Sequence, residues 1–357
     1  MGVVALAAQS GPAQRVRVAF VATEANNQHK LVAFRGTVYV TYTRPVAGIP
    51  QVHVDSSPDG RRWQPLGQVS RGTGPSTLST IVVDRSGIVH LTWTQFDGPI
   101  GRVYYSRYAG QWSEPQSLSP ATAYAGYPSM DVDSRGRLQL VWYGIREASA
   151  AQPTAHGAIY EIFYVRYDGR WSPAVRISPG NPDSINPALV VDAQDNVHVV
   201  WFQSDGRAYQ VMYTTRSAVS GKWTDPVSLT GGEEPSTTPA LAVDRNGTIH
   251  VVWERKGGID YLNGRSGRWT VPRRISDDGR HPTVGLWASG VFAVWRGDDG
   301  LVRLRAFNGA AWRDVRRLEQ GDYPNAAPWR PGGDARPRAV WTTASGFRVT
   351  DLTPFLR

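Results

Sequence analysis

Apolar residues along this chain come in short bursts, many of them β-branched, and each burst is cut off by Gly, Asp, Asn or Ser. That is the pattern of strands separated by turns. The clearest burst runs through Ile81, Val82 and Val83 into a turn between Asp84 and Gly87, and a second apolar run then ends on Trp93. The same arrangement returns at 130–142, 189–201 and 241–253, and in degenerate form in stretches ending at Tyr42, Trp295 and Trp341. The closing aromatics are 42 to 59 residues apart. Each of the first six units continues with a run rich in Tyr and Val, a turn, and a second tryptophan: Trp63, Trp112, Trp171, Trp223, Trp269 or Trp312. Pro128, Pro187, Pro239 and Pro282 stand at the head of the first apolar run in four units.

Four short antiparallel strands in about 40–50 residues make the blade of a β-propeller. The inner strands are apolar on both faces, which suits blades packed between two neighbours. The pattern therefore predicts an all-β, seven-bladed β-propeller of four-stranded antiparallel blades. The seventh unit shows three strands, at about 324–329, 335–342 and 347–352, and then the chain ends. A spare strand at 15–21 is predicted to pair onto that blade and clasp the ring, removing an unpaired edge. Six blades with loose ends is the alternative. Residues 15–357 form one propeller domain on this reading, and 1–14 a signal-like or disordered segment.

Composition sharpens the picture in a few places. A length of 357 residues would ordinarily mean about two domains, but the repeat divides it into seven units instead. Twelve of the 14 tryptophans occupy just two repeat positions, and Trp287 and Trp329 fall in first strands. With 41% hydrophobic and 19% charged residues the chain is not disordered through charge. No apolar stretch is long enough to cross a bilayer as a helix, so no membrane insertion is expected. The absence of cysteine excludes disulfides, zinc–cysteine sites and thiol chemistry. The net charge of +9 is carried almost wholly by arginine, since Lys30, Lys222 and Lys256 are the only lysines. Guanidinium groups favour planar contacts with carboxylate, sulfate or phosphate, which points to acidic partners. The arginines form no basic stripe, so nucleic acid is disfavoured, and no Gly-rich phosphate loop is present. No cofactor and no metal site is expected, with calcium held by loop carboxylates left open. The small and apolar residues at 2–10 resemble the end of a signal peptide, giving an extracellular or cell-surface expectation.

The turn Ser57-Pro58-Asp59-Gly60-Arg61-Arg62-Trp63 resembles the Asp-box, or BNR repeat, of the sialidase-like propeller superfamily. Faded copies close at Trp171, Trp223 and Trp312. The box is a structural element, with Ser and Asp oxygens accepting backbone N–H groups and the Trp packing between sheets. The resemblance implies a propeller fold. Sialidases of the superfamily add an Arg-Ile-Pro element, three arginines on a carboxylate and a Tyr–Glu pair. Here the nearest match is Gly48-Ile49-Pro50 without the arginine, so no sialidase catalytic residue is carried over.

Candidate chemistry follows from the topology of a blade. His90, His198 and His250 each lie three residues before the repeat Trp, so they are one repeat position and are expected to be bonded locally. The loops between second and third strands, and the connections between blades, share the irregular face on which a rigid scaffold carries function. That face is expected to present Arg44, Gln95, Tyr127, Tyr143, Asn186, Gln203, Arg255, His281, Arg296 and Tyr323, a mixture suited to stacking sugar rings and holding an anionic group. The third unit has 22 residues from Trp142 to Tyr164 where its neighbours use 12, an insertion of roughly ten that suits a lid or cleft wall. It brings Arg146, Glu147, His156, Tyr160 and Glu161 as catalytic candidates, joined by Glu254. Arg, His and Tyr together meet the demands of uronate elimination, whereas a pair of carboxylates would serve glycoside hydrolysis.

Three readings stay open on sequence. One is a single-site glycoside hydrolase or polysaccharide lyase acting on acidic glycans. Another is a non-catalytic propeller that binds a glycan or a protein. The third is a scaffold of a cell-surface assembly. A monomer with a glycan partner is the expectation common to the first two.

Overall fold

The computed structural model describes residues 21–25, 29–120, 123–145, 159–180, 182–288, 290–328 and 336–356. Seven antiparallel sheets follow one another along the chain and pack face to face in a ring. The seven-blade expectation holds and the six-blade alternative is set aside. Blade 1 runs from Leu31–Phe34 through Thr37–Val46 and Ile49–Ser57 to Gln64–Gln68, each strand pairing with the next. Blades 2, 3, 4 and 6 repeat that meander, and in blade 5 the outer edge is broken into Arg268–Trp269 and Arg273–Ser276. Blade 7 has three strands among the described residues: Asp322–Ala326, Arg338–Thr343 and Gly346–Asp351. The strand expected at 15–21 to complete it lies, but for Val21, outside the described residues. The next few residues are tied down firmly. Thr43 N donates to Ala22 O, Thr23 N donates to Thr342 Oγ1, and Thr23 Oγ1 donates to Tyr323 O. Residues 22–25 thus bridge the first and seventh blades, and Phe347 packs on Tyr42 and Trp63 where the ring closes.

The repeat tryptophans are the reason the blades stack. Trp93, Trp142, Trp201, Trp253, Trp295 and Trp341 are at most 2% exposed, and each core cluster mixes residues of two adjacent blades, as where Val200 and Tyr213 meet Leu241 and Trp253. A fully buried indole contributes several kcal/mol of burial and packing, about 3–5 when it is truncated to alanine. The second set packs edge-on: Trp171 meets Tyr105, Trp223 meets Tyr164 and Trp269 meets Tyr213, each a tyrosine of the preceding blade.

On the regular face the turns are closed by side chains. Asp84 Oδ1 accepts from Ser86 N and Ile88 N, while its other oxygen faces His90 Nε2 at 3.3 Å, and His90 Nδ1 meets Tyr105 OH at 2.9 Å. Asp192, His198 and Tyr213 repeat this at 3.1 and 2.8 Å. In blade 5 His250 holds Tyr261 at 2.8 Å but is 3.6 Å from Asp244, an ion-pair distance. Gln139 stands in for histidine in blade 3. The three histidines are therefore locally bonded parts of the scaffold. At the Ser57–Trp63 turn, Ser57 Oγ accepts from Gly60 N and Asp59 Oδ1 accepts from Arg61 N and Arg62 N, the structural role the sequence implied.

One feature of the inner strands shapes the opposite face. Leu78, Tyr127, Asn186, Thr238, His281 and Tyr323 all have φ between 47° and 55°, and each sits where the pairing of first and second strands shifts register. These are β-bulges, which insert one residue and re-aim a side chain. Left-handed φ costs a non-glycine residue about 1–2 kcal/mol. In five of the six the next residue is proline, which has no N–H to lose from the ladder.

Among the described residues no helix is long and apolar enough to cross a membrane, and no cluster of His, Asp and Glu could hold a metal ion.

Candidate functional site

The bulges point the inner-strand residues of neighbouring blades at one place, the mouth of the central channel on the irregular face. The second strand of the preceding blade holds some of them. Thr94 Oγ1 accepts from Tyr127 N at 3.1 Å, and Glu254 Oε1 accepts from His281 N at 2.6 Å.

On the side of blades 5 to 7 this builds a compact polar group. The His281 ring stacks on Tyr323 with centroids 3.9 Å apart and planes 12° from parallel. Its Nδ1 meets Asp322 Oδ1 at 3.1 Å, an oxygen that also accepts Tyr323 N at 2.8 Å. Asp322 Oδ2 faces Arg296 Nε at 3.6 Å. Burial alone would raise the Asp322 carboxyl, but His281, the Tyr323 N–H and Arg296 outweigh it and hold it below the usual range. Burial pushes the Tyr323 hydroxyl up to about 12, with the charges of Glu24, Asp322 and Glu254 adding to the shift.

The facing wall, from blade 3, is aromatic. Tyr143 lies 5.2 Å from Tyr127, 5.3 Å from Tyr160 and 5.7 Å from Tyr124, centroid to centroid. Tyr124 and Tyr143 bring their hydroxyls within 3.4 Å. Burial raises all four tyrosines, Tyr124 to about 12.

Between the two walls lies Glu24, set there by the 22–25 bridge. Its charge is felt by Tyr124 and Tyr127 on one side and by Tyr323 on the other. Burial raises the Glu24 carboxyl, with Lys30 and His281 opposing. Lys30 is 1% exposed and donates Nζ to Ser79 O at 2.5 Å. Burial pushes its ammonium down to about 7, with Glu24 opposing.

Of the residues named from sequence, Tyr127, Tyr143, Tyr160, His281, Arg296 and Tyr323 come together at the mouth, and Glu254 supports His281 from beneath. Asn186 occupies the same bulge position in blade 4. Gln95 and Gln203 are engaged elsewhere: their Oε1 atoms accept from the indoles of Trp93 and Trp201 and from Ser76 and Ser184. Arg44 is exposed on the rim of blade 1, and Arg255 reaches Gly231 O. Glu161 is a buried partner of Arg176 at 2.8 Å within its own blade. Arg146, Glu147 and His156 lie outside the described residues. Sequence reasoning missed Glu24, Lys30, Tyr124 and Asp322. Asp322 and Tyr124 sit beside or near named residues in the blade connections, a signal within reach. Glu24 lies ahead of the first repeat unit, where nothing periodic marks it.

No family model matches the chain, and no curated protein matches it. Solved structures do. An ulvan lyase of a new polysaccharide lyase family, bound to -[GlcA(1-4)Rha3S]-, is 14% identical with a TM-score of 0.62, covering 93% of this chain and 94% of its own. The polysaccharide lyase Uly1 is 11% identical with a TM-score of 0.59, covering 92% and 90%. An α-L-arabinanase of Penicillium chrysogenum is 11% identical with a TM-score of 0.55, covering 77% and 93%. At these identities the likeness shows the propeller fold. Nothing among these matches bears on the Asp-box resemblance to sialidases beyond that fold.

Proposed function

We propose that this propeller is a carbohydrate-active enzyme that cleaves an acidic polysaccharide by β-elimination at a 4-linked uronate. The observation that carries the reading is the joined set His281, Asp322, Tyr323 and Arg296 at the channel mouth. Elimination requires three things: a cation against the uronate carboxylate, a base for the C5 proton, and an acid for the departing O4. Arg296 supplies the first. With Nδ1 engaged by Asp322, His281 has Nε2 to take the C5 proton. The electron pair of the C5–H bond then forms the C4–C5 double bond as the C4–O4 bond breaks. Tyr323, kept protonated by its raised hydroxyl, hands its proton to O4. The tyrosine wall of blade 3 gives the flanking sugars faces to stack on.

Support from the comparisons lies in two lyases that share the ring over more than nine-tenths of this chain, one of them holding a glucuronate 4-linked to a sulfated rhamnose. A polymeric substrate and the signal-like residues at 2–10 support an extracellular location as part of this proposal.

The test is incubation of the purified protein with ulvan, alginate, pectate and glucuronate-containing glycosaminoglycans. Elimination yields an unsaturated uronate seen by ultraviolet absorbance and by mass. Reducing ends without unsaturation would replace elimination by hydrolysis, and no product from any polymer would leave a binding protein.

A further inference from the structure

A second place on the molecule is built differently from its repeats, and it lies on the face opposite the channel mouth. In blades 2, 3 and 6 the third strand ends on an aromatic residue, Tyr108, Tyr167 or Phe307, bridged to the unit's second tryptophan with ring centroids 5.2–5.3 Å apart. Tyr167 and Phe307 also reach back to Tyr105 and Tyr261 of the preceding blade. Those rings fill the wedge between blades. In blade 5 the corresponding residue is Gly264, paired with Trp269. The indole lies directly on it, since a Cβ there would fall 2.2 Å from Trp269 Cε3. The ring that closes the wedge elsewhere is missing.

Blade 4 widens the opening from its side. Its last hairpin spans from Arg216 to Trp223, longer than the Tyr108 to Trp112 equivalent in blade 2. The result is a groove of 810 Å³ between blades 4 and 5, within the roughly 300–1,000 Å³ typical of small-molecule sites. Indoles Trp223 and Trp269 line it from the two blades, together with Lys222, Asp225, Arg265 and Asn246 and a set of Ser and Thr hydroxyls. Both indoles are only partly buried.

We infer that this groove is a second, non-catalytic carbohydrate site that holds pyranose units of a glycan. A pyranose presents an apolar C–H face, which suits a flat indole, and a rim of hydroxyls that both donate and accept. The groove offers that pairing: aromatic rings beside amide, hydroxyl, carboxylate and cationic groups. Its charges of both signs fit a sugar better than a polyanion that needs a basic stripe. Because it faces away from the channel mouth, a chain held here is anchored rather than presented for cleavage. The inference stands apart from the elimination reading and survives or falls separately.

The experiment is saturation-transfer NMR on the full chain with three probes: methyl β-xyloside, methyl β-glucoside and methyl β-glucuronide. Asn246→Trp places bulk in the groove from an exposed turn, and Trp269→Ala removes a stacking face. If Trp269→Ala does not fold, Asn246→Trp carries the test. Transfer from at least one glycoside is expected to persist in His281→Ala and to weaken about tenfold in the groove variants, with the elimination rate of Asn246→Trp unchanged. No transfer from any of the three, undiminished transfer in Asn246→Trp, or loss of transfer in His281→Ala overturns the inference.

Discussion

Glu254 is where the geometry and the sequence give different roles to the same carboxylate, and substitution separates them. Sequence places it among the catalytic candidates; the structure has its Oε1 2.6 Å from the backbone N of His281. His281 holds a φ of 53° at a bulge, so the bond secures a backbone state that costs about 1–2 kcal/mol on its own. A hydrogen bond to a charged group contributes about 1.5–3 kcal/mol. Glu254→Ala should therefore destabilise the blade 5–6 junction by about 2–3 kcal/mol. It should also release the imidazole from its stack on Tyr323, and a displacement near 1 Å can cost about 10²-fold in rate. Glu254→Gln keeps an acceptor at about half the strength, which leaves a loss of about 1 kcal/mol, or about fivefold in kcat. The assay is kcat for formation of unsaturated uronate, read beside a urea unfolding midpoint. If Glu254→Gln unfolds like the wild type yet is as inactive as Glu254→Ala, the carboxylate itself moves protons and the positioning role is wrong.

Further expectations rest on single measurements. Trp253→Ala, at a position with no exposure, should cost about 3–5 kcal/mol in denaturant unfolding, and a loss below about 1 would contradict the packing role given to the repeat tryptophans. Asp244 is subject to burial that would raise it, yet His250 and the N–H groups of Thr248 and Asn246 bring it down to about 2 from 3.8. A depressed carboxyl adds stability that is present above pH 3.8 and is lost as pH falls through about 2. Asp244→Asn should accordingly be weaker than the wild type by about 1 kcal/mol at neutral pH, the full shift being reduced by solvent screening of a partly exposed carboxyl, and urea midpoints taken at falling pH should converge. Lys30 is depressed to about 7 from 10.5, so between those values the unfolded chain binds the extra proton and stability rises with pH. In Lys30→Met that part of the rise should vanish, and an unchanged pH profile would show that Lys30 does not titrate in the fold.

The fold was legible because its main devices repeat. Trp93, Trp142, Trp201 and Trp253 mark one strand position so regularly that blade number and strand order follow from spacing. His90, His198 and His250 could be assigned to the scaffold for the same reason. The site was only partly legible, because it is assembled from what does not repeat. Tyr127, His281 and Tyr323 were named from their place in the connections, but their common backbone kink shows in the sequence only as the proline that comes next. Gln95 and Gln203 occupy that face in sequence, yet face indoles of their own blades; a strand position fixes a side of the sheet and not the hydrogen bond an amide makes. Glu24 is brought to the mouth by the hydrogen bonds of its neighbour Thr23 to Thr342 and Tyr323, some 300 positions later, a closure no local pattern encodes, and Lys30 is held by Ser79 O of the next blade.

The left-handed bulges have a consequence for how such a molecule changes. The kink is a property of the backbone, and at Tyr127, His281 and Tyr323 the residue that occupies it takes its place at the mouth. Leu78, Tyr127, Asn186, Thr238, His281 and Tyr323 already show five side-chain types tolerated on one conformation. Specificity at the mouth can therefore drift one blade at a time, through substitutions that leave the seven interlocked wedges untouched. A ring built this way separates what sets its shape from what sets its task, and the same ring is found at 11–14% identity in two lyases and an arabinanase.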